Sequence, residues 1–320
     1  MKAVFLNAGK LDFDKKLDFS PLSNLTELTN YDDTSNDQIV ERVQGKDIVI
    51  TKEMPVGRDV ISQFPPSVKL ICEAGTGYNN IDIVAAREKN IAVCNIPSYS
   101  TEAVAHLAIT FILNLSASLP QQQHMLEKKD FSNFTDYLKV PHIELQGKTL
   151  GVIGAGAIGR NTIRIALALG MNILIYDKFQ RPWEEANVKY AELEEVLRES
   201  DFVTLHCPLT ADTKHIINKD RLKLMKPSAY IINTSRGPLI KEADLIEALK
   251  NGQIAGAGLD VQEIEPPALD NPLFDMDNVI MTPHIGWRRY ESRQRLVNLM
   301  GDNIKSFIDG KPVNVVNEKV

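Results

Sequence analysis

The sequence predicts an α/β protein built on two doubly wound parallel sheets, and three observations lead there. Its 320 residues exceed what one ordinary domain needs, so two compact units with separate cores are expected. Short apolar runs alternate with amphipathic stretches in two successive series, the rhythm of βαβ units. A glycine-rich turn, Gly154-Ala155-Gly156-Ala157-Ile158-Gly159, joins a strand-like run to a helix-like one.

The strand candidates of the first series are Val4-Phe5-Leu6, Asp47-Ile48-Val49-Ile50, Leu70-Ile71-Cys72 and Ile91-Ala92-Val93-Cys94. Helix-like segments lie between them, for example Asp37 to Val43 and, after the turn Gly77-Tyr78-Asn79-Asn80, Asp82 to Lys89. Pro97-Ser98-Tyr99-Ser100 stops this pattern, so a domain boundary is expected near residue 98. Ser100 then serves as N-cap of a long apolar helix with Glu102 in its first turn. Residues 120–147 are polar and end in Gly147, as a connection or an exposed helix would. The second series runs through Thr149 to Ile153, Asn172 to Tyr176, Phe202 to Leu205, Tyr230 to Ile232, Ala255 to Leu259 and Val279 to Met281, six strands with helices between them. Behind the glycine turn, Ile158, Ile165, Ala166 and Leu169 mark the expected apolar face of the helix.

Composition narrows the function. A net charge of -6 argues against a surface that neutralises phosphates, so no nucleic-acid partner is expected. The cluster Arg288, Arg289, Arg293, Arg295, with Glu291 among them, reads as a solvated face or an interface rim. Cys72, Cys94 and Cys207 have no C-x-x-C spacing and leave one unpaired, which fits buried thiols in a reducing, cytoplasmic compartment. No signal-peptide pattern follows Met1. The most apolar segment, Ala103 to Leu119, falls short of the ~20 residues of a membrane span and reads as a buried helix, so no membrane is expected.

The chemistry is expected at strand ends. Gly154 permits the tight turn, Gly156 lets the backbone approach a pyrophosphate and Gly159 allows close packing, with the helix N-terminus aimed at the phosphates. Asp177 ends the next strand, 23 positions after Gly154, where a carboxylate accepts hydrogen bonds from the ribose hydroxyls of NAD and repels the extra phosphate of NADP. Lys178 and Arg181 nearby leave NADP as the alternative. Cys207-Pro208, Thr234-Ser235-Arg236, Asp260 and His284 each follow a strand, so one cleft would collect them. Arg236 offers a planar fork of donors for a carboxylate, and His284 exchanges a proton near neutral pH. Glu265, bonded to that imidazole, would favour its protonated form and fix the ring. The remaining histidines, His106, His124, His142, His206 and His215, lack such company and read as structural or exposed. No motif of a metallohydrolase or a nucleophilic serine is present, and no metal is expected.

Together with Ala74-Gly75-Thr76-Gly77-Tyr78-Asn79, His206-Cys207-Pro208-Leu209-Thr210, Asn233-Thr234-Ser235-Arg236-Gly237, Gly258-Leu259-Asp260-Val261, Glu265-Pro266-Pro267 and Thr282-Pro283-His284-Ile285, the chain resembles the D-2-hydroxyacid dehydrogenase family over its whole length. The resemblance implies two Rossmann-like domains. Residues 1–97 and 287–320 would form a discontinuous substrate-binding domain, and 98–286 the NAD-binding domain. It implies NAD(H) as cofactor, contacted by the glycine loop (Gly154, Gly156, Ala157, Ile158, Gly159), Asp177, Thr101, Cys207, Pro208, Thr234 and Asp260. It further implies that Thr76 and Gly77 amides help Arg236 hold the substrate carboxylate, that His284 with Glu265 forms the proton-transfer pair, and that the protein is a homodimer.

Within the family, Glu265-Pro266-Pro267, Asp270-Asn271-Pro272-Leu273 and His284-Ile285-Gly286-Trp287 look most like glycerate dehydrogenases, also called hydroxypyruvate reductases. A small 2-keto or 2-hydroxy acid is then the substrate, with lactate-like or branched acids as alternatives. Trp287-Arg288-Arg289 is bulkier and more basic than the run many relatives carry there, which bears on pocket size. A rival reading from another class is an NAD-sensing corepressor, since members of the superfamily can retain the site yet act by binding proteins.

Overall fold

The computed structural model describes residues 1–317, so the last three residues of the expected segment 287–320 lie outside the described residues. The chain forms two compact units, one of Met1–Ser100 with residues 287 onward, the other of Thr101–Gly286.

In the first unit five strands, β1 (Lys2–Phe5), β2 (Glu27–Asn30), β3 (Ile48–Thr51), β4 (Leu70–Glu73) and β5 (Ala92–Cys94), pair in parallel in the order β2-β1-β3-β4-β5. Period-two alternation divides their side chains between two cores. Ala3, Phe5, Ile48, Ile50, Leu70 and Cys72 face one, Val4, Leu6, Val49 and Ile71 the other. The strand β2 has no counterpart among the sequence-based candidates. It is an edge strand whose residues are exposed or half-buried, so it lacks an apolar run.

The helix Tyr290–Ile308 completes this unit by burying Leu296, Val297, Met300 and Ile304 against the first core. Each such side chain contributes about 1.5–3 kcal/mol. The segment beyond it bridges β5, with Val315 opposite Cys94, and the Asn317 side chain bonds the Val93 amide and the Ile91 carbonyl. The arginine cluster is not a solvated face as a whole. Arg293 is buried, holding the Leu11 carbonyl and, with two guanidinium nitrogens, the Asp14 carboxylate at 2.8 and 2.7 Å. A buried guanidinium persists only with its donors satisfied, and here helical spacing turns residue 293 inward beside Leu296 and Val297. Trp287 likewise lies in the first unit's core, its ring 4.0 Å beneath the Lys52 ammonium.

The second unit carries seven parallel strands, β6 (Thr149–Ile153), β7 (Asn172–Tyr176), β8 (Val188–Tyr190), β9 (Phe202–Leu205), β10 (Tyr230–Asn233), β11 (Gly256–Leu259) and β12 (Val279–Met281). Their order is β12-β11-β10-β9-β6-β7-β8, which is the doubly wound Rossmann order extended by one strand. The chain reverses its direction of travel across the sheet between β6 and β9. The edge strand β8, Val-Lys-Tyr, is the one member missed from sequence, being short and only partly buried.

The helix Thr101–Ser116 is buried over ten of its sixteen residues, as its composition requires. No single helix among the described residues is long and apolar enough to cross a membrane. After the glycine turn, helix Ala157–Ala168 buries Gly159, Thr162, Ile163 and Ala166. Of the expected face only Ala166 is fully buried, while Ile158, Ile165 and Leu169 are half-buried. The stripe is rotated because Gly159, having no side chain, makes the closest approach, and the i+3, i+4 and i+7 positions follow it inward.

His206, just past β9, is half-buried with Nε2 3.0 Å from the Thr204 hydroxyl. Burial pushes its pKa from 6.5 down to about 4, so the folded chain resists a proton that the unfolded chain accepts first. Stability present above pH 6.5 is therefore lost progressively as pH falls toward 4. Urea midpoints measured from pH 7 to 4.5 should fall less steeply in His206→Asn than in the parent; equal slopes would show that other groups drive acid unfolding.

Candidate functional site

Because every strand of the second sheet is parallel, the loops after β6, β7, β9, β10, β11 and β12 emerge at one end. That end gathers the glycine loop, Asp177, Cys207-Pro208, Thr234 to Arg236, Asp260, Glu265 and His284. Thr76 and Gly77 belong to the first unit, on the loop after β4, where the Asn95 side-chain amide donates to the Thr76 carbonyl at 2.7 Å and the Thr76 hydroxyl donates to the Ile96 carbonyl at 3.0 Å. Thr101, half-buried, opens the long core helix.

The glycine loop sits at the switch point between β6 and β9. Gly154 has φ +96°, and a Cβ there would come within 2.6 Å of the Cys207 backbone nitrogen, so only glycine fits. Gly156 is the opposite case: a Cβ would meet nothing within 4 Å, leaving the amides at the helix N-terminus open to a ligand. Asp177 faces the loop, with one oxygen accepting from the Ala155 amide at 2.6 Å and the other from the Phe179 amide at 2.7 Å. Thr234 adds a hydroxyl that is buried and has no hydrogen-bond partner among the described residues. Buried hydroxyls are nearly always paired, so this one has a hydrogen bond to offer a ligand. An open amide cradle, a carboxylate at the next strand end and an orphaned hydroxyl together fit a dinucleotide. Cys207 is buried with its thiol pushed up to about 11, which keeps it protonated beside the loop rather than nucleophilic.

A second group is built around His284. His284 Nδ1 and Glu265 Oε2 are 2.9 Å apart, and Glu265 Oε1 accepts from the Gln262 amide at 3.0 Å. The Glu265-Pro266 peptide is cis. With Nδ1 committed to the carboxylate, Nε2 is the ring nitrogen left to meet a substrate. His284 has φ +52°, uncommon for a residue with a side chain, and Asp260 supports it there. The Asp260 carbonyl accepts from the His284 amide at 2.8 Å. Its side chain accepts from the Thr282 hydroxyl at 2.6 Å, the Ile285 amide at 2.8 Å and the Gly286 amide at 2.9 Å. This use of Asp260, expected only among cofactor contacts, had no sequence signal beyond its place after β11. Burial holds the Asp260 carboxyl above its usual range, and those bonds with the nearby His284 offset only part of that rise.

Arg236 stands at the end of β10, half-buried, its Nη1 donating to the Ser235 carbonyl at 2.8 Å. The Asn233 side chain shapes this turn, donating to the Arg236 carbonyl at 2.9 Å and accepting from the Ser235 amide at 3.0 Å. One sequence reading is corrected: His284 is not alone in having a carboxylate partner. His215 Nε2 lies 2.6 Å from Glu263 Oε1, and His124 approaches Asp277 at 3.5 Å. Glu263 and Asp277 are far away in the chain, and His124 also has Glu127, three residues on, at 3.8 Å.

Fold and site together define a dinucleotide-dependent oxidoreductase. Residues 109–286 match the family model for the D-isomer specific 2-hydroxyacid dehydrogenase NAD-binding domain. The chain is 42% identical over 99% of its length to a hydroxypyruvate reductase of Blautia hydrogenotrophica, covering all of that protein. It is 38% identical to a glycerate dehydrogenase of Methylorubrum extorquens, over 98% of each chain. A solved D-lactate dehydrogenase from Aquifex aeolicus, complexed with NAD and lactic acid, superposes with TM-score 0.86 at 30% identity, over 100% of both chains. This chain belongs to the D-isomer specific 2-hydroxyacid dehydrogenase family and is an NAD-dependent enzyme acting on the CH–OH group of 2-hydroxy acids.

Asp260→Asn puts an NH2 group against donors that need an acceptor. Urea denaturation should report a loss of about 1–3 kcal/mol, the cost of a buried unpaired donor. An unchanged midpoint would mean that the turn holding His284 does not need the carboxylate.

Proposed function

We propose that this protein reduces hydroxypyruvate and glyoxylate to D-glycerate and glycolate with NADH, and runs the reverse oxidations with NAD. The single observation that carries the reading is the 2.9 Å bond between His284 and Glu265 at the sheet end that also bears the glycine loop and Arg236. The names of the two relatives described above support the choice of substrate.

Residues 1–97 and 287–320 act in this proposal as the substrate-binding domain and residues 98–286 as the NAD-binding domain. The fork of Arg236, with the amides of Thr76 and Gly77, holds the substrate carboxylate and draws charge toward the adjacent carbonyl. The cofactor supplies a hydride to C2 of the keto acid. The carbonyl electrons move onto oxygen, which takes a proton from His284 Nε2, while Glu265 offsets the charge of the imidazolium and fixes the ring plane. In oxidation His284 is neutral and Nε2 takes the hydroxyl proton. Gly154, Gly156, Ala157, Ile158 and Gly159 receive the pyrophosphate, Asp177 the ribose hydroxyls, and Thr101, Cys207, Pro208, Thr234 and Asp260 line the remaining cofactor path. The Asp177 carboxylate favours NAD over NADP by repelling a 2′-phosphate.

The protein is further proposed to be a cytoplasmic homodimer. Three free, buried cysteines support a reducing compartment. Phe134 and Tyr137, exposed at 76% and 77% beside Phe131 and Leu138, support an apolar contact with a second copy through the second unit.

NADH oxidation assayed with hydroxypyruvate, glyoxylate, pyruvate and branched 2-keto acids should give the highest kcat/KM for the first two, and a preference for branched acids would reassign the substrate. His284→Ala should lower kcat/KM by roughly 10²–10⁴-fold, and a loss below tenfold would remove it from proton transfer. Light scattering should give the mass of two chains, with Phe134→Asp moving it toward one; a monomeric parent would end the dimer proposal.

A further inference from the structure

The pairing of His215 was unexpected, and its neighbours give it a use. His215 lies on the loop between β9 and the helix Lys219–Leu222. Its backbone amide donates to the Pro238 carbonyl at 2.8 Å, two residues beyond Arg236. Its ring Nε2 lies 2.6 Å from Glu263 Oε1, two residues before Glu265. One residue thus bonds to both of the loops that carry the proposed carboxylate fork and the partner of His284.

The rest of this corner is laced in the same sense. Ile217 donates to the Leu239 carbonyl at 3.0 Å and Lys241 to the Ile217 carbonyl at 2.9 Å, so the strip after Arg236 runs alongside the His215 loop. The Arg236 and Glu265 loops meet at Gly237, where a Cβ would fall 1.7 Å from the Gln262 carbonyl oxygen, and Gln262 in turn donates its amide to Glu265. Glu263 Oε2 accepts from the Glu242 amide at 2.9 Å, while the Glu242 carboxylate accepts from the Glu263 amide at 3.4 Å and the Asn271 side chain at 2.9 Å. Two carboxylates therefore lie close together, and the His215 ring is a side-chain donor to the one on the Glu265 loop. His215 also holds φ +53°, a conformation kept where surrounding bonds over-determine it.

We propose that His215, acting through Glu263, is a positioning residue that holds the Arg236 turn and the Glu265 loop in the arrangement the reaction needs. It touches neither substrate nor cofactor. The pair is partly exposed, 29% and 28% at the side chains, so its contribution is registration of two loops rather than bulk stability. Small misplacements of reacting groups cost up to about 10²-fold in rate, which sets the size of the effect. The inference rests on the roles proposed for Arg236 and Glu265.

The test is steady-state kinetics with hydroxypyruvate and NADH, with NADH affinity read separately by fluorescence titration and folding by thermal melts. His215→Ala and Glu263→Ala should each lower kcat/KM by roughly ten- to a hundredfold, with NADH affinity kept within about twofold. His215→Gln, whose side-chain amide reaches close to the Nε2 position, should recover most of that loss. Placed in a Glu265→Ala background, His215→Ala should cost at most about twofold more, because the two act on one element. Activity within about twofold of the parent in His215→Ala, no recovery in His215→Gln, or fully additive losses in the double variant would each overturn the proposal. If His215→Ala melts early, His215→Leu and Glu263→Gln carry the loss, with His215→Gln still read for recovery. Parent-like activity of Glu265→Ala and His284→Ala would instead sink the underlying reading of the site.

Discussion

The bond between the Glu265 carboxylate and the His284 imidazole is the constraint on which the rest of the site depends. It commits one ring nitrogen and leaves the other open, and it holds the ring at one angle and one depth. Strand pairing does the coarse part of this: β11 and β12 are parallel neighbours, and their following loops leave the sheet together. The fine part falls to Asp260, which caps the turn around His284 through both carboxylate oxygens. A histidine at positive φ is held there by bonds from another strand end, so its geometry belongs to the sheet as much as to its own loop.

The same device recurs across this end of the sheet. Asp177 takes the amide of Ala155, Asp260 those of Ile285 and Gly286, Glu263 that of Glu242, and Glu265 that of Gln262. Loops leave backbone donors without ladder partners, and an ionised carboxylate satisfies such donors more strongly than a neutral acceptor does. An acidic chain is thus not simply one that avoids polyanions. Part of its negative charge is turned inward, where it shapes the loops at this end of the sheet. Arg236 and the open amides beside Gly156 lie at the same end of the sheet and carry the opposite sign.

Much of this was legible in the sequence wherever local pattern and chemistry coincide. The strand, glycine turn and helix around Gly154 to Gly159 form a contiguous signal, and the polar residues closing apolar strands do gather at one end of the sheet. Glu265 and His284, 19 positions apart on successive loops, were within reach of that argument. What escaped has common physical causes. The edge strands β2 and β8 bury too little to show an apolar run. The helix after the turn rotates toward its glycine, and hydropathy does not count glycine as a buried face. Arg293 looked like one more surface charge because its partners, Leu11 and Asp14, stand some 280 positions away. His215 and Glu263, separated by 48 positions, are likewise joined only by the fold.

The discontinuity of the first unit sets the order in which the protein can assemble during synthesis. Residues 1–100 leave the ribosome before the second unit, yet the helix that covers one face of their sheet and the segment that borders β5 arrive only with residues 290–317. At about 5–20 residues per second, that interval is roughly ten to forty seconds, in which the entire second unit is made. The nascent first sheet spends that time with Phe5, Ile48, Ile50 and Leu70 uncovered on one face and the β5 edge open, a state prone to aggregate and suited to capture by a chaperone. Completion of the first unit's core therefore waits on residues made some 190 positions later, even though its strands are made before those of the second unit.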